Sequence, residues 1–327
     1  MTSIRRILLL VIISALSRTL VFSEGKTGVY AFSVSPLFGV LYGQAEEIVY
    51  DPFKTGDVYT SELLWDLRPL LYAGFEVNFG PRNPFANSGF FADGSLKAGL
   101  PIKTGIMEDR DWLYADNNNL TNYSRHDAVS RGAFLADVST GFSWRINDFF
   151  ALGASIEFSY MYHSWSAIDG YSQYLETDKF GNLIPGQIWT NSIPKIDTEG
   201  EVIRYVQNWF IFSPGVLLKG RLSRFFSLEG SFNYSPLIYC SDRDDHLKRK
   251  TDTVFKDYLY FGHFFDGGGS FIFSPKENLA LSLNVSYRYI TGSRGNLYTN
   301  GVKNIFDGIA GGGYSSLDAG LTLKLTF

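Results

Sequence analysis

Leu321-Thr322-Leu323-Lys324-Leu325-Thr326-Phe327 ends the chain, and its strict alternation decides the fold. Successive side chains of a β-strand point to opposite faces, so the four apolar residues share one face and Thr322, Lys324 and Thr326 the other. The period recurs upstream. Leu279, Leu281, Leu283, Val285, Tyr287 and Tyr289 alternate with Ala280, Ser282, Asn284, Ser286 and Arg288. Phe226, Leu228, Phe232 and Tyr234 are interleaved with Ser227, Glu229, Ser231 and Asn233, and Ile156, Phe158 and Tyr160 with Ser155, Glu157 and Ser159. A soluble β-sandwich would show the same period, its apolar face on a second sheet and its polar face in water.

Two features argue against the sandwich. Full charges stand in mid-strand on the polar face, at Asp137, Arg145, Glu157, Glu229, Arg288, Asp318 and Lys324, as paired ions inside a polar lumen require. The connections also come in two lengths. With strands at 29–43, 61–79, 88–104, 131–146, 149–167, 201–219, 225–240, 258–273, 279–290 and 311–327, the even connections (80–87, 147–148, 220–224, 274–278) are short and rich in Gly, Pro, Asn and Ser. The odd ones are long. The reading is an all-β, ten-stranded antiparallel transmembrane β-barrel with long extracellular loops and short periplasmic turns. Closure pairs every backbone group within the sheet, which lipid demands. Ten strands enclose little more room than eight, whose interior side chains fill, so a general porin is disfavoured.

A final strand ending on Phe327 resembles the recognition signal of bacterial outer-membrane proteins. It implies the cell outer membrane, with its lipid and the barrel-assembly machinery as partners. The other end agrees. Arg5 and Arg6 precede an apolar run at 7–16 that is too short for a membrane helix, which needs roughly 20 residues. Residues 1–23 therefore read as a signal peptide and 24–327 as one barrel domain. Removing 1–23 takes away Arg5, Arg6 and Arg18 and no acid, so the mature chain is more negative than the −4 of the whole and no nucleic-acid partner is expected. Cys240 is the only cysteine, so no internal disulfide staples the fold. Aromatic residues make up 17%, and Trp112 and Trp165 read as anchors at the membrane interface.

Chemistry concentrates above two strands. Met107-Glu108-Asp109-Arg110-Asp111-Trp112 stands above the third and Ser241-Asp242-Arg243-Asp244-Asp245-His246 above the seventh. Residues i and i+2 of an extended segment share a face, which gives one inward pair, Asp109 with Asp111, and another, Asp244 with His246. Two carboxylates facing an Asp–His couple can activate water: the imidazole takes the proton, its carboxylate orients it, and the opposing pair holds the water. Glu108 adds a carboxylate expected to raise the pKa of a neighbour. The same four groups could also ligate a cation.

Asp-x-Asp-Trp, the later Ser124-Arg125-His126 and Asp-x-Asp-x-His together resemble the omptins, outer-membrane endopeptidases on ten-stranded barrels. The likeness extends to Gly43-Gln44-Ala45-Glu46-Glu47-Ile48-Val49-Tyr50 and to Ser61-Glu62-Leu63-Leu64-Trp65. It implies Asp109, Asp111, Asp244 and His246 as catalytic groups and Glu47 and Asp242 as a substrate-binding pocket for a basic side chain. It further implies an endopeptidase cutting peptide or protein substrates at Arg or Lys, by attack of water without a covalent intermediate, at the extracellular rim. No metal or other cofactor is implied. Dependence on lipopolysaccharide stays open, because Ile156, Phe158 and Tyr160 face lipid without a basic cluster. His126 reads as a residue that stabilises a loop near the site, and Leu247-Lys248-Arg249-Lys250 as a solvated basic run or a site of self-cleavage. The alternative is a non-enzymatic adhesin or binding barrel with a degenerate protease site, its contact loops at 105–131 and 168–200. A barrel phospholipase ranks last for want of a Ser–His couple facing lipid.

Overall fold

Alternation along the chain yields strands: the computed structural model describes residues 29–54, 56–114, 119–180, 182–249 and 252–327, and these described residues form fifteen strands in one antiparallel sheet and no helix. The signal peptide expected at 1–23 lies outside the described residues. The strands are β1 (Tyr30–Tyr50), β2 (Tyr59–Pro81), β3 (Gly89–Gly99), β4 (Lys103–Asp111), β5 (Asn122–Arg145), β6 (Phe150–Tyr174), β7 (Ile196–Asp197), β8 (Glu201–Arg221), β9 (Phe226–Ser235), β10 (Ile238–His246), β11 (Thr253–Tyr260), β12 (His263–Lys276), β13 (Leu279–Thr299), β14 (Val302–Lys303) and β15 (Ala310–Thr326). Three pairs, β3 with β4, β9 with β10 and β11 with β12, are interrupted halves of single staves. Pairing runs β1–β2–(β3, β4)–β5–β6–β8–(β9, β10)–(β11, β12)–β13–β15 and returns to β1, so ten staves close a ring. The terminal strand does the closing: Leu321 pairs with Phe38 on one side and Leu283 on the other.

The two faces sort as the alternation requires. Leu281, Leu283, Leu321, Leu323, Phe158 and Phe212 are exposed on the outside in an apolar belt, whereas Thr322 and Asp318 are buried inside. The lumen carries paired ions. Arg288 bonds Asp266 at 2.6 Å and reaches Asp137 at 3.3 Å, Lys97 contacts Asp318, and Lys219 meets Glu229 at 3.1 Å. Above them Trp65, Trp165 and Tyr205 stack at 5.4–5.9 Å between ring centroids, with Met107, Met161 and Trp209 also fully buried. Trp165 is therefore a lumen residue and no membrane-interface anchor: it shares the inward parity of Ser159, Met161 and His163 on β6, which carries it onto the stack.

The strands run beyond the ends read from sequence. β1 continues to Tyr50, β5 begins at Asn122, β6 reaches Tyr174 and β13 reaches Thr299. The long connections shrink accordingly to residues 51–58, 112–121, 175–200, 247–252 and 300–309, all at the end opposite the short turns. The outward face explains the discrepancy. Above the apolar belt it changes to ions, with Arg110 bonded to Glu62 at 3.1 Å and Glu108 at 2.7 Å, and Arg243 to Asp245 at 2.8 Å. The sheet there projects into water on its outside while its pairing continues, so an apolar outer face no longer marks the strand.

Candidate active site

The sequence segments expected in loops lie on this projecting sheet, which fixes their side chains by strand register. In one row across the wall, Gly312 of β15 pairs with Glu47 of β1, Glu47 with Leu63 of β2, Leu63 with Asp109 of β4, and Asp109 with Ser124 of β5. Asp66 steadies the start of β4 by accepting the Ile106 N–H at 3.1 Å. Across the lumen, β10 pairs with β8 so that Asp242 lies beside Gln207, Asp244 beside Tyr205 and His246 beside Ile203. Period two then turns Met107, Asp109 and Asp111 inward from one side, and Cys240, Asp242, Asp244 and His246 from the other.

His246 Nε2 lies 2.6 Å from Asp244 Oδ2, with the imidazole edge-on to Phe255 at 5.3 Å. Asp244 is 1% exposed, so the carboxylate is shielded from water and the ring is held between it and Phe255. Asp111 is anchored by the Asn122 amide, which donates to its Oδ2 at 3.1 Å. Asp109 keeps a buried carboxylate oxygen with no protein partner, as do Glu47 and Asp244. Asp109, Asp111 and His246 line a common cleft of about 460 Å³, together with His126, Tyr174 and Arg249.

Packing so many acids together shapes their protonation. Burial first, then Asp111 and Asp244, push the Asp109 carboxyl well above its ordinary range, with Arg249 opposing. Burial also raises Asp111, against hydrogen bonds from Ser61 and Asn122 and the nearby His246. Glu47 is driven well up by burial, then by Asp244, Asp242, Asp257 and Asp109. Asp242 is pushed up to about 8 by burial, although the Asp257 N–H and the Tyr205 hydroxyl donate to it at 3.1 and 3.2 Å. An unpaired buried carboxylate costs several kcal/mol when ionised, so some of these groups hold protons at neutral pH.

Glu108 raises the pKa of a neighbour, but that neighbour is Tyr123, held up by burial first and then by Glu108, and not Asp109. The parity of Glu108 turns it outward, where it bonds Arg110 at 2.7 Å and the Tyr123 hydroxyl at 2.6 Å, and it has no place among the causes that raise Asp109. His126 is on β5 rather than a loop, at a bulge between Arg125 and Asp127, and its Nδ1 contacts the Asp169 carbonyl. Burial lowers its pKa.

Asp257 escaped the sequence reading altogether. It lies on β11 and is fully buried. One oxygen each from Glu47, Asp242 and Asp257 falls within 4.8 Å of the others, a cup that could hold a hard cation or a basic group. Reading the eighth strand from 258 left Asp257 in a loop. The signal was present, since Phe255, Asp257 and Leu259 alternate with Lys256, Tyr258 and Tyr260 in β11.

The pattern that defines the Omptin family matches residues 29–327. The plasminogen activator of Yersinia pestis is 24% identical over 244 residues, 73% of this chain and 70% of that protein. The crystal structure of the outer membrane protease OmpT from Escherichia coli superposes with a TM-score of 0.77 and 20% identity, over 92% of this chain and 99% of that one. At that identity the superposition speaks for the fold.

Proposed function

The chain belongs to the omptin family and is a protease of the outer membrane, and we propose that it hydrolyses peptide bonds at Arg or Lys with a water activated by His246 and Asp244. The observation that carries this reading is the 2.6 Å contact between His246 Nε2 and the buried Asp244 carboxylate, in a cleft also lined by Asp109 and Asp111. A carboxylate accepts, so Nε2 bears the proton and Nδ1 is left to take one from water. Asp244 stabilises the imidazolium that results. The water oxygen attacks the scissile carbonyl carbon, and the proton held by the Asp109–Asp111 couple neutralises the developing oxyanion. As the C–N bond breaks, the leaving nitrogen takes the proton from His246, and the carboxylate couple recovers its own as the carbonyl re-forms. Every group belongs to this chain or to water, with no covalent intermediate and no metal.

Glu47 and Asp242 lie deeper and, in this reading, receive the basic side chain, since paired carboxylates complement a guanidinium or an ammonium. The end carrying the cleft faces the extracellular side and the short turns the periplasm, which suits a protease acting on external polypeptides. The test is cleavage of peptides carrying Arg, Lys or a neutral residue before the susceptible bond, by purified protein and its H246A and D244A variants. Loss of activity in both variants, with neutral peptides left intact, is expected. Equal activity in all three proteins would sink the mechanism, and binding without cleavage would favour a binding barrel.

A further inference from the structure

We propose that Asp257 is a specificity-determining residue of the basic pocket and that its carboxylate, converging with Glu47 and Asp242, makes the pocket accept lysine as well as arginine. The inference rests on the pocket reading given above and adds a third arm to it. Its starting point is the count of free acceptors. Asp242 has both oxygens engaged, by the Asp257 N–H at 3.1 Å and the Tyr205 hydroxyl at 3.2 Å. Both Asp257 oxygens and Glu47 Oε2 have no partner, though both side chains are almost wholly shielded from water. Most of the uncommitted acceptor capacity in the cup is therefore that of Asp257.

The geometry suits an ammonium. An ammonium bonded to three oxygens at about 2.8 Å in a tetrahedral fan holds them roughly 4.6 Å apart. The nearest oxygens of Glu47, Asp242 and Asp257 lie within 4.8 Å of one another. A planar guanidinium needs coplanar acceptor pairs and is served by two carboxylates, whereas the three donors of a lysine ammonium call for three convergent ones. Depth agrees as well. Asp242 is the next inward position below Asp244 on β10, one strand repeat or about 7 Å down, which the four-carbon stem of lysine can span. Gln207, beside Asp242 in register, ties the cup to β1 by donating to the Glu46 carbonyl at 3.3 Å, so the arms are held across a narrow lumen.

The experiment measures kcat and KM of the full-length protein, folded in detergent, on three peptides that differ only in carrying Arg, Lys or norleucine before the susceptible bond. D257N and D257S are compared with wild type. The proposal expects the variants to lose about ten- to hundred-fold in kcat/KM for the lysine peptide, through KM, and only a few-fold for the arginine peptide. Equal losses for Arg and Lys, or none, would overturn it. Wild-type cleavage of the norleucine peptide as fast as the basic ones would instead remove the pocket reading beneath it. Activity lost to a chelator and regained with calcium would give the cup to a divalent cation and also overturn the proposal. If the variants fail to fold, inhibition of wild type by butylammonium and butylguanidinium reads the same point: an ammonium that inhibits as well as the guanidinium is expected, and a guanidinium that alone inhibits refutes it.

Discussion

The contact between His246 and Asp244 fixes both the orientation and the tautomer of the imidazole, so each partner has a separable effect. In the proposed mechanism H246A removes the base and D244A leaves the ring free to turn. Each is expected to lower kcat by about 10²- to 10⁴-fold with little change in KM, checked by steady-state kinetics. The pocket acids predict a pH dependence of the opposite kinetic type. Asp242 is pushed up to about 8 in the folded, substrate-free protein, and in the proposed pocket it is the ionised form that would hold a basic side chain. KM for a basic peptide should therefore fall as pH rises and level off above about 8. The same shift has a stability consequence of definite sign. A carboxyl raised above its unfolded value of about 3.9 favours folding below that pH and loses its contribution as pH rises through the folded value. D242N should accordingly be more stable than wild type at pH 9, on the order of a few kcal/mol, with the gain shrinking towards pH 4. Thermal unfolding at the two pH values checks it.

At the scale of elements, the outer ends of β5 and β6 carry one side of the cleft and depend on a single glycine. Gly170 has φ 107°, and a Cβ added there would sit 2.1 Å from the Arg125 carbonyl oxygen and 2.9 Å from the Cα of His126. The bulge here sets two residues of β6, Asp169 and Gly170, against His126 of β5, which shares its inward parity with Ser124 and Ala128. G170A should destabilise the protein by roughly 1–2 kcal/mol or more from the left-handed conformation alone, and should lower activity by displacing His126 and Ser124. Wild-type melting and kinetics in G170A would contradict that account. The alternation of β1 predicts an end at 43, but the strand continues to Tyr50, with Gln44 and Glu46 on its outward face beyond the apolar belt. Hydrogen bonding continues there, but the hydrophobic contrast that reveals a half-buried strand does not.

The whole molecule is a filled cylinder whose interior supports the cleft. Arg288 is held by Asp266 and Asp137, and the Trp65–Trp165–Tyr205 stack lies between that network and the acids of the site. R288M would leave Asp137 and Asp266 without their shared partner, and a destabilisation of about 3–5 kcal/mol is expected with KM unchanged. Denaturant unfolding alongside kinetics measures both halves. Because aromatic side chains close the lumen, the reconstituted protein should conduct no ions across a planar bilayer, and steady single-channel currents would refute the plug.

Alternation, the lumen charges, the rhythm of long and short connections, and the closing strand at 321–327 are all legible in the amino-acid order alone. These are properties of residues i and i+2 and of the spacing between segments, which local chemistry carries. The inward pairs Asp109 with Asp111 and Asp244 with His246 were legible for the same reason. What those pairs meet is set by the folded barrel. Gly312, Glu47, Leu63, Asp109 and Ser124 come into one row through four separate strand registers, and Asp257 joins Glu47 and Asp242 only because β11 pairs with β10 and the ring closes. Opposition across a lumen depends on register summed around the whole barrel, a non-local quantity that no window of sequence contains.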